Sequence, residues 1–435
     1  MTGLVDRLAA RWADRQYPFL VGDRGALRFG DLAARPPAAL DDVRPGDVVA
    51  LIGDFQPTSI ALLLHLIDRG AILVPLTTAT AADHDYFFDA ALVDVVISSA
   101  GVVRHKHSRS HPLIDTLRTA GNPGLVLFSS GTTARPKAIL HDLTHFLRRY
   151  ETPRFALRTL NFLLFDHIGG LNTLLHTLFN GGTVVSVGDR TVSAVLEACR
   201  RYDVEVLPAT PTFLRLLLMS GAADRDFPPT LSIVTYGTER MDQPTLDQLC
   251  AKLPRVEFRQ TFGMSELGIV RVKSVARDSL FMQVGGEGVE TRVVDGVLQI
   301  RSASRMLGYL NAPSPFDSEG WYDTKDRVDE RDGAYKVVGR TSEVVNVGGL
   351  KFMPVEVERI ALEFSGVAFA IAYGRANPIT GQHVELKVEP REGTTLDRAA
   401  LQSYLAERLQ PHMQPRRIRI EPIGIGHRFK KSGIE

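Results

Sequence analysis

Residues 125–142 read Leu-Val-Leu-Phe-Ser-Ser-Gly-Thr-Thr-Ala-Arg-Pro-Lys-Ala-Ile-Leu-His-Asp, an apolar run that breaks into hydroxyls and glycine and then reaches a lysine. The apolar residues 125–128 predict a buried strand that fixes the position of the loop after it. Ser129, Ser130, Thr132 and Thr133 offer hydroxyls, and Gly131 lets the backbone approach an anion closely. Lys137 adds a point charge of the kind lysine supplies at phosphates. The stretch is not the nucleotide loop Gly-x-x-x-x-Gly-Lys-Ser/Thr, because no glycine precedes Lys137 and no hydroxyl follows it. A polar turn after a core strand would use the same residue types, so the loop has to be read with its surroundings.

Upstream, residues 48–52, 72–75 and 95–97 are short β-branched runs, with a helical pattern over 59–68 between them. Such alternation predicts parallel sheet with crossover helices. A second unit of this kind runs from Gly181 through a helix near Val192 to Tyr202, residues 204–208 and an apolar helix over 213–219. Near residue 285 the texture changes to short alternating runs punctuated by glycine, which predicts antiparallel sheet or a small barrel. From about residue 343 a compact α/β unit follows: a glycine hairpin at Gly348–Gly349, a helix opened by Pro354, two strands and a helix over 396–409.

At 435 residues the chain exceeds a single core and implies two or three domains. A net charge of +1 gives no reason to expect nucleic acid or an anionic membrane as partner. Two cysteines are too few for a disulfide framework or a thiolate metal site, which suits a reduced, cytoplasmic setting. The N-terminus lacks the apolar core of a secretory signal, and no apolar stretch approaches the ~20 residues of a membrane span. A soluble monomer or homodimer is expected.

Ser-Ser-Gly-Thr-Thr-x-x-Pro-Lys closely resembles the phosphate loop of the adenylate-forming superfamily, which holds acyl-CoA synthetases, aryl-acid ligases, nonribosomal adenylation domains and luciferase. Ala134 and Ala138 stand where the family usually has glycine. Residues 259–268, Arg-Gln-Thr-Phe-Gly-Met-Ser-Glu-Leu-Gly, resemble the family's Tyr-Gly-x-Thr-Glu motif. The resemblance implies that Phe262 stacks near the adenine, that Thr261 and Gly263 join it in binding the nucleotide, that Ser265 contacts the α-phosphate and that Glu266 holds Mg2+. A magnesium ion bound by one carboxylate plus substrate phosphates is chemically ordinary. Gly237, Thr238 and Glu239 would also reach the adenine.

Two runs, 320–329 and 332–343, resemble the family segment in which an aspartate binds the ribose hydroxyls and an arginine follows a short hairpin; the matching residues are Asp326 and Arg340. Lys325 replaces the glycine that usually precedes that aspartate. Ser342 falls at the family's hinge position, and Gly348 and Gly349 match the turn that faces the thiol acceptor's tunnel in relatives. At the C-terminus, Lys430 aligns with the lysine that bridges the carboxylate substrate and the α-phosphate, with Lys431 one residue on as the other register. His167 and Gly170, in Phe165-Asp-His-Ile-Gly-Gly, resemble an acyl-pocket motif, and Ile269 would join them. Histidine, aspartate or glycine at such places also serves as ordinary turn and cap chemistry.

The resemblance implies an α/β fold: a large N-terminal AMP-binding domain, residues 1–340, of two αβαβα-type layered sheets plus a small β-barrel, and a small mobile α+β domain, residues 341–435. It implies ATP-dependent activation of a carboxylic acid to an acyl-adenylate and transfer to a thiol, with ATP, Mg2+ and coenzyme A as the small molecules. A stand-alone adenylase that loads an acyl carrier protein or forms an amide is the alternative, and a non-catalytic nucleotide-binding homologue is a third class. The acid itself is left open.

Overall fold

The structure, a computed structural model, describes residues 3–34, 36–105, 109–129 and 135–424. Ser130, Gly131, Thr132, Thr133, Lys430 and Lys431, all expected at the phosphates, lie outside the described residues.

Strand Gly124–Phe128 is the third of seven in a sheet ordered Gly308–Tyr309, Ala138–Asp142, Gly124–Phe128, Ile72–Leu76, Val48–Ile52, Val95–Ser98, Gly101–Arg104. Its four central strands are parallel and its margins antiparallel. The central strands are apolar at nearly every position because helices such as Pro57–Asp68 and Pro112–Ala120 cover both faces. A second seven-stranded sheet runs Glu257–Gln260, Ile233–Tyr236, Val206–Ala209, Arg158–Asn161, Thr183–Ser186, Leu20–Gly22, Gly25–Leu27. All but the last strand are parallel. The two sheets share helices: Val49, Leu51, Leu73, Leu125 and Leu127 of the first pack in one buried cluster with Ile168–Phe179 and with Val184 of the second.

The glycine-punctuated region forms a six-stranded antiparallel sheet, Val272–Ser274, Met282–Val284, Ala334–Arg340, Tyr322–Arg331, Val297–Ser302, Val289–Val294. Beside it a ribbon pairs Phe262–Met264 with Gly268–Val270. The last sheet comes entirely from residues after Glu343: Val345–Val347, Leu350–Phe352, Val367–Asn377, Gly381–Pro390 and Arg417–Ile420, with helices Pro354–Glu363 and Arg398–Arg408 and a core of its own. One 3-10 turn, Thr341–Glu343, joins it to the rest. Among the described residues, no helix is long and apolar enough to cross a membrane.

Candidate active site

The loop after strand Gly124–Phe128 is pinched at its base. Ser129 N donates to the Lys137 carbonyl at 3.0 Å, and Lys137 N donates to Ser129 Oγ at 2.9 Å. Its exit is fixed from outside: Ala138 N donates to Asn311 Oδ1 at 2.9 Å, while Asn311 Nδ2 and the Tyr86 hydroxyl both donate to the Pro136 carbonyl, at 3.2 and 2.7 Å. Ala138, a departure from the family's glycine, buries its methyl group in the core of the first sheet. The Lys137 ammonium lies 4.8 Å from the centroid of the Tyr309 ring, a cation–π distance.

Glu266 sits in the turn of the ribbon, 9% exposed. Its Oε1 accepts from the Tyr309 hydroxyl at 2.8 Å, and its carbonyl accepts from Met306 N at 2.8 Å. The carbonyl of Ser265 accepts from His141 Nε2 at 2.6 Å. Burial lowers the His141 pKa to about 4, so the ring is neutral near pH 7 and carries its proton on the nitrogen that donates to Ser265. Burial and the neighbouring Glu266 carboxylate push the Tyr309 phenol up, and it stays protonated as a donor. Glu266 fits a magnesium ion carried by ATP, since such an ion needs one or two carboxylates and takes its remaining ligands from phosphate and water.

Gly237 and Thr261 meet where two neighbouring parallel strands end. Thr261 N donates to the Tyr236 carbonyl at 2.7 Å, and a Cβ on Gly237 would collide with Thr261, so only glycine fits. Thr238 follows in left-handed conformation at φ 68°, which costs a non-glycine residue roughly 1–2 kcal/mol. Glu239, expected at the adenine, directs Oε2 to Thr212, accepting from its hydroxyl at 2.7 Å and its amide at 3.2 Å in the first turn of helix Pro211–Met219. Phe262 is half-buried against the antiparallel sheet and Gly263 is exposed.

Asp326 and Arg340 face each other across adjacent antiparallel strands, and Arg340 Nε donates to Asp326 Oδ1 at 3.1 Å. Burial pushes the Asp326 carboxyl up while Arg340 pulls it down. Lys325, in the place of a family glycine, takes a left-handed φ of 61°. Tyr322, on the strand of Asp326, has its phenol pushed up by burial and by the nearby Glu266 carboxylate.

His167, expected in an acyl pocket, accepts at Nδ1 from Gly169 N at 3.0 Å and caps helix Ile168–Phe179. A Cβ on Gly170 would collide with the Leu164 carbonyl. Both residues thus have local structural work. The helix packs beside the ribbon strand Gly268–Val270, on which Ile269 stands. Sequence reasoning missed Tyr309, His141, Asn311 and Tyr86. The only signal was a Gly-Tyr-x-Asn string at 308–311, which reads as core or turn.

Loop, ribbon, Gly237 and Thr261 all follow the C-terminal ends of parallel strands in two sheets, the crevice where open α/β folds take ligands. The class is that of a nucleotide-handling α/β protein. The chain belongs to the AMP-binding enzyme family: it matches that family over residues 31–310 and the AMP-binding enzyme C-terminal domain over residues 356–422. It is 28% identical to a medium/long-chain-fatty-acid–[acyl-carrier-protein] ligase, FadD10, of Mycobacterium tuberculosis, covering 90% of this chain and 85% of that one. The anthranilate CoA ligase AuaEII in complex with anthranoyl-AMP shares the fold at TM-score 0.81 and 18% identity, over 99% of this chain and 95% of that one. The amide bond synthetase McbA of Marinactinospora thermotolerans does so at TM-score 0.77 and 21% identity, over 98% and 97%.

Proposed function

We propose that the protein activates a carboxylic acid with ATP, releasing pyrophosphate, and transfers the acyl group from the acyl-adenylate to a thiol, with coenzyme A as the favoured acceptor. The observation that carries this reading is the meeting of Lys137 and Glu266 at Tyr309, one over its ring and the other on its hydroxyl, near the Asp326–Arg340 pair. In the first step a carboxylate oxygen of the acid attacks the α-phosphorus in line. A new O–P bond forms as the bond to the bridging oxygen breaks, and pyrophosphate leaves. Lys137 offsets the phosphate charge and the loop hydroxyls donate to the phosphates, Asp326 accepts from the ribose hydroxyls, and Arg340 holds Asp326 in place. Magnesium held by Glu266 would supply charge neutralisation on the phosphates. In the second step the thiol sulfur attacks the acyl carbon, AMP leaves, and the thiol proton passes to solvent.

Residues 341–435 are proposed to be the moving unit, turning about Ser342 so that Lys430 serves the first step and Gly348–Gly349 the second. The exposure of that hairpin and the single turn that joins the unit to the rest favour this. Similarity to an acyl-carrier-protein ligase over 90% of the chain favours a carrier-bound thiol as the second reading. The test is pyrophosphate exchange with a panel of aryl and fatty acids, followed by product analysis with coenzyme A or a carrier protein present. Acid-dependent exchange and an acyl-CoA product are expected; an acyl-carrier product alone would move the assignment to the second reading, and no exchange with any acid would overturn both.

A further inference from the structure

Residues 306–311 grip the two halves of the phosphate site at once. Met306 N holds the Glu266 carbonyl at 2.8 Å, Leu307 N donates to the Leu140 carbonyl at 2.7 Å, and Leu310 N donates to the Ala138 carbonyl at 2.9 Å. Gly308–Tyr309 pairs with Leu140 and Ile139 on the strand that leaves the phosphate loop. Asn311 then takes Ala138 N and Pro136. Tyr309 is the one side chain of this segment that touches both groups: its hydroxyl donates to Glu266 Oε1 at 2.8 Å, and its ring lies 4.8 Å from the Lys137 ammonium. Among the described residues, the other oxygen of Glu266 receives no hydrogen bond.

We infer that Tyr309 is the positioning residue of the phosphate site, its hydroxyl fixing the Glu266 carboxylate for the metal and its ring fixing the Lys137 ammonium for the phosphates. This rests on the reading of Glu266 as the magnesium ligand. The two roles sit on different parts of one side chain, so they are separable. A phenylalanine keeps the ring and removes the donor. A leucine removes both.

The experiment is calorimetric titration of ATP into the full chain, with and without Mg2+, for the wild type, Y309F, Y309L and E266Q, with melting curves for each. A hydrogen bond to a charged group is worth ~1.5–3 kcal/mol, or roughly tenfold or more in affinity. Y309F should therefore lose about tenfold of the Mg2+-dependent gain in ATP affinity while its metal-free affinity stays within about twofold, and Y309L should lose both. Combining Y309F with E266Q should add little beyond E266Q alone, because the hydroxyl acts through that carboxylate. Unchanged Mg2+ dependence in Y309F would overturn the assignment. So would equal loss of metal-free and metal-dependent binding with a lowered melting temperature, the mark of a purely structural residue. A wild type that binds ATP with Mg2+ but exchanges pyrophosphate with no acid would sink the proposed function and leave this inference standing.

Discussion

The nucleotide bed and the seam to the last sheet are held in different ways. In the bed, Glu266, Ser265, Pro136 and Asp326 are each fixed by a side chain from another segment of the chain, through bonds that are buried at Glu266 and part-buried at the other three. At the seam, a small apolar cluster of Leu216, Met219, Ala368, Phe369 and Ile423 is supplemented by two arginines. Arg215 donates to the Ala368 carbonyl at 3.0 Å and pairs with Asp242, while Arg240 donates to the Val338 carbonyl at 3.0 Å and pairs with Glu358 at 3.2 Å. A bed held from many sides is pre-organised for charge. A seam held at a few points can part and re-form, as the proposed two-step reaction would require.

The largest effect should come from the seam's buried cation. Arg215 is 7% exposed, and its guanidinium also lies 5.2 Å from the Phe369 ring. Replacing it with methionine leaves the Ala368 carbonyl short of a donor and the Asp242 carboxylate short of a charge, although Asp242 still accepts from Thr245 N at 2.9 Å. Breaking a buried pair from one side costs about 3 kcal/mol. Urea denaturation of Arg215→Met should show that loss, and limited proteolysis should cut the last sheet free earlier than in the wild type. Stability within 0.5 kcal/mol of the wild type, a margin typical of surface sites, would mean that the seam rests on the apolar cluster alone.

The bed and the seam also differ in how far they could be read from the sequence. Strands 48–52, 72–76 and 124–128 were legible because both faces are buried and each run is apolar throughout. Lys137, Glu266, Asp326 and Arg340 could be nominated from the sequence because the chemistry proposed for them is local to a motif. Strand Gly308–Tyr309 was not, since two residues carry no periodicity and their partner strand decides the pairing. Nor was the attachment of Leu20–Gly22 beside Thr183–Ser186, which joins distant parts of the chain. The supports of the site fall in this second group: His141 reaches Ser265 across 124 positions and Asn311 reaches Ala138 across 173. Glu239 belongs to the same group, since its bond to Thr212 bridges 27 positions that no motif joins.

A second prediction sharpens the bed's side of the comparison. The His141 pKa is lowered from 6.5 to about 4, so between those values the unfolded chain takes up a proton that the folded chain resists. The contribution of neutral His141 is complete above pH 6.5 and is lost as pH falls toward 4. By about pH 5 the loss should reach ~2 kcal/mol, at 1.36 kcal/mol for each pH unit. His141→Asn keeps a donor for the Ser265 carbonyl without that titration, so its stability should fall less steeply between pH 6.5 and 5. Parallel stability curves for the two proteins would show that the ring is not held neutral, and that acid does not loosen the bed through it.

The smallest effect concerns the turn before Asp326. Lys325 holds a left-handed φ of 61°, and its ammonium meets Asp323 at 2.6 Å with both side chains substantially exposed. That surface pair is worth little, whereas the left-handed backbone costs a lysine ~1–2 kcal/mol that glycine does not incur. Glycine gives back most of the gain by making the unfolded chain more flexible. Lys325→Gly should therefore be neutral to about 0.5 kcal/mol stabilising in urea denaturation. The hydroxyl of Thr341 bonds the main-chain carbonyl of residue 325 at 3.0 Å, a contact the substitution keeps, so the geometry around Asp326 should hold and ATP affinity should stay within twofold. A larger loss of ATP affinity at unchanged stability would mean that the lysine itself meets the nucleotide. The strained turn would then belong to the bed's binding chemistry, and the departure from glycine would be a substitution with a function.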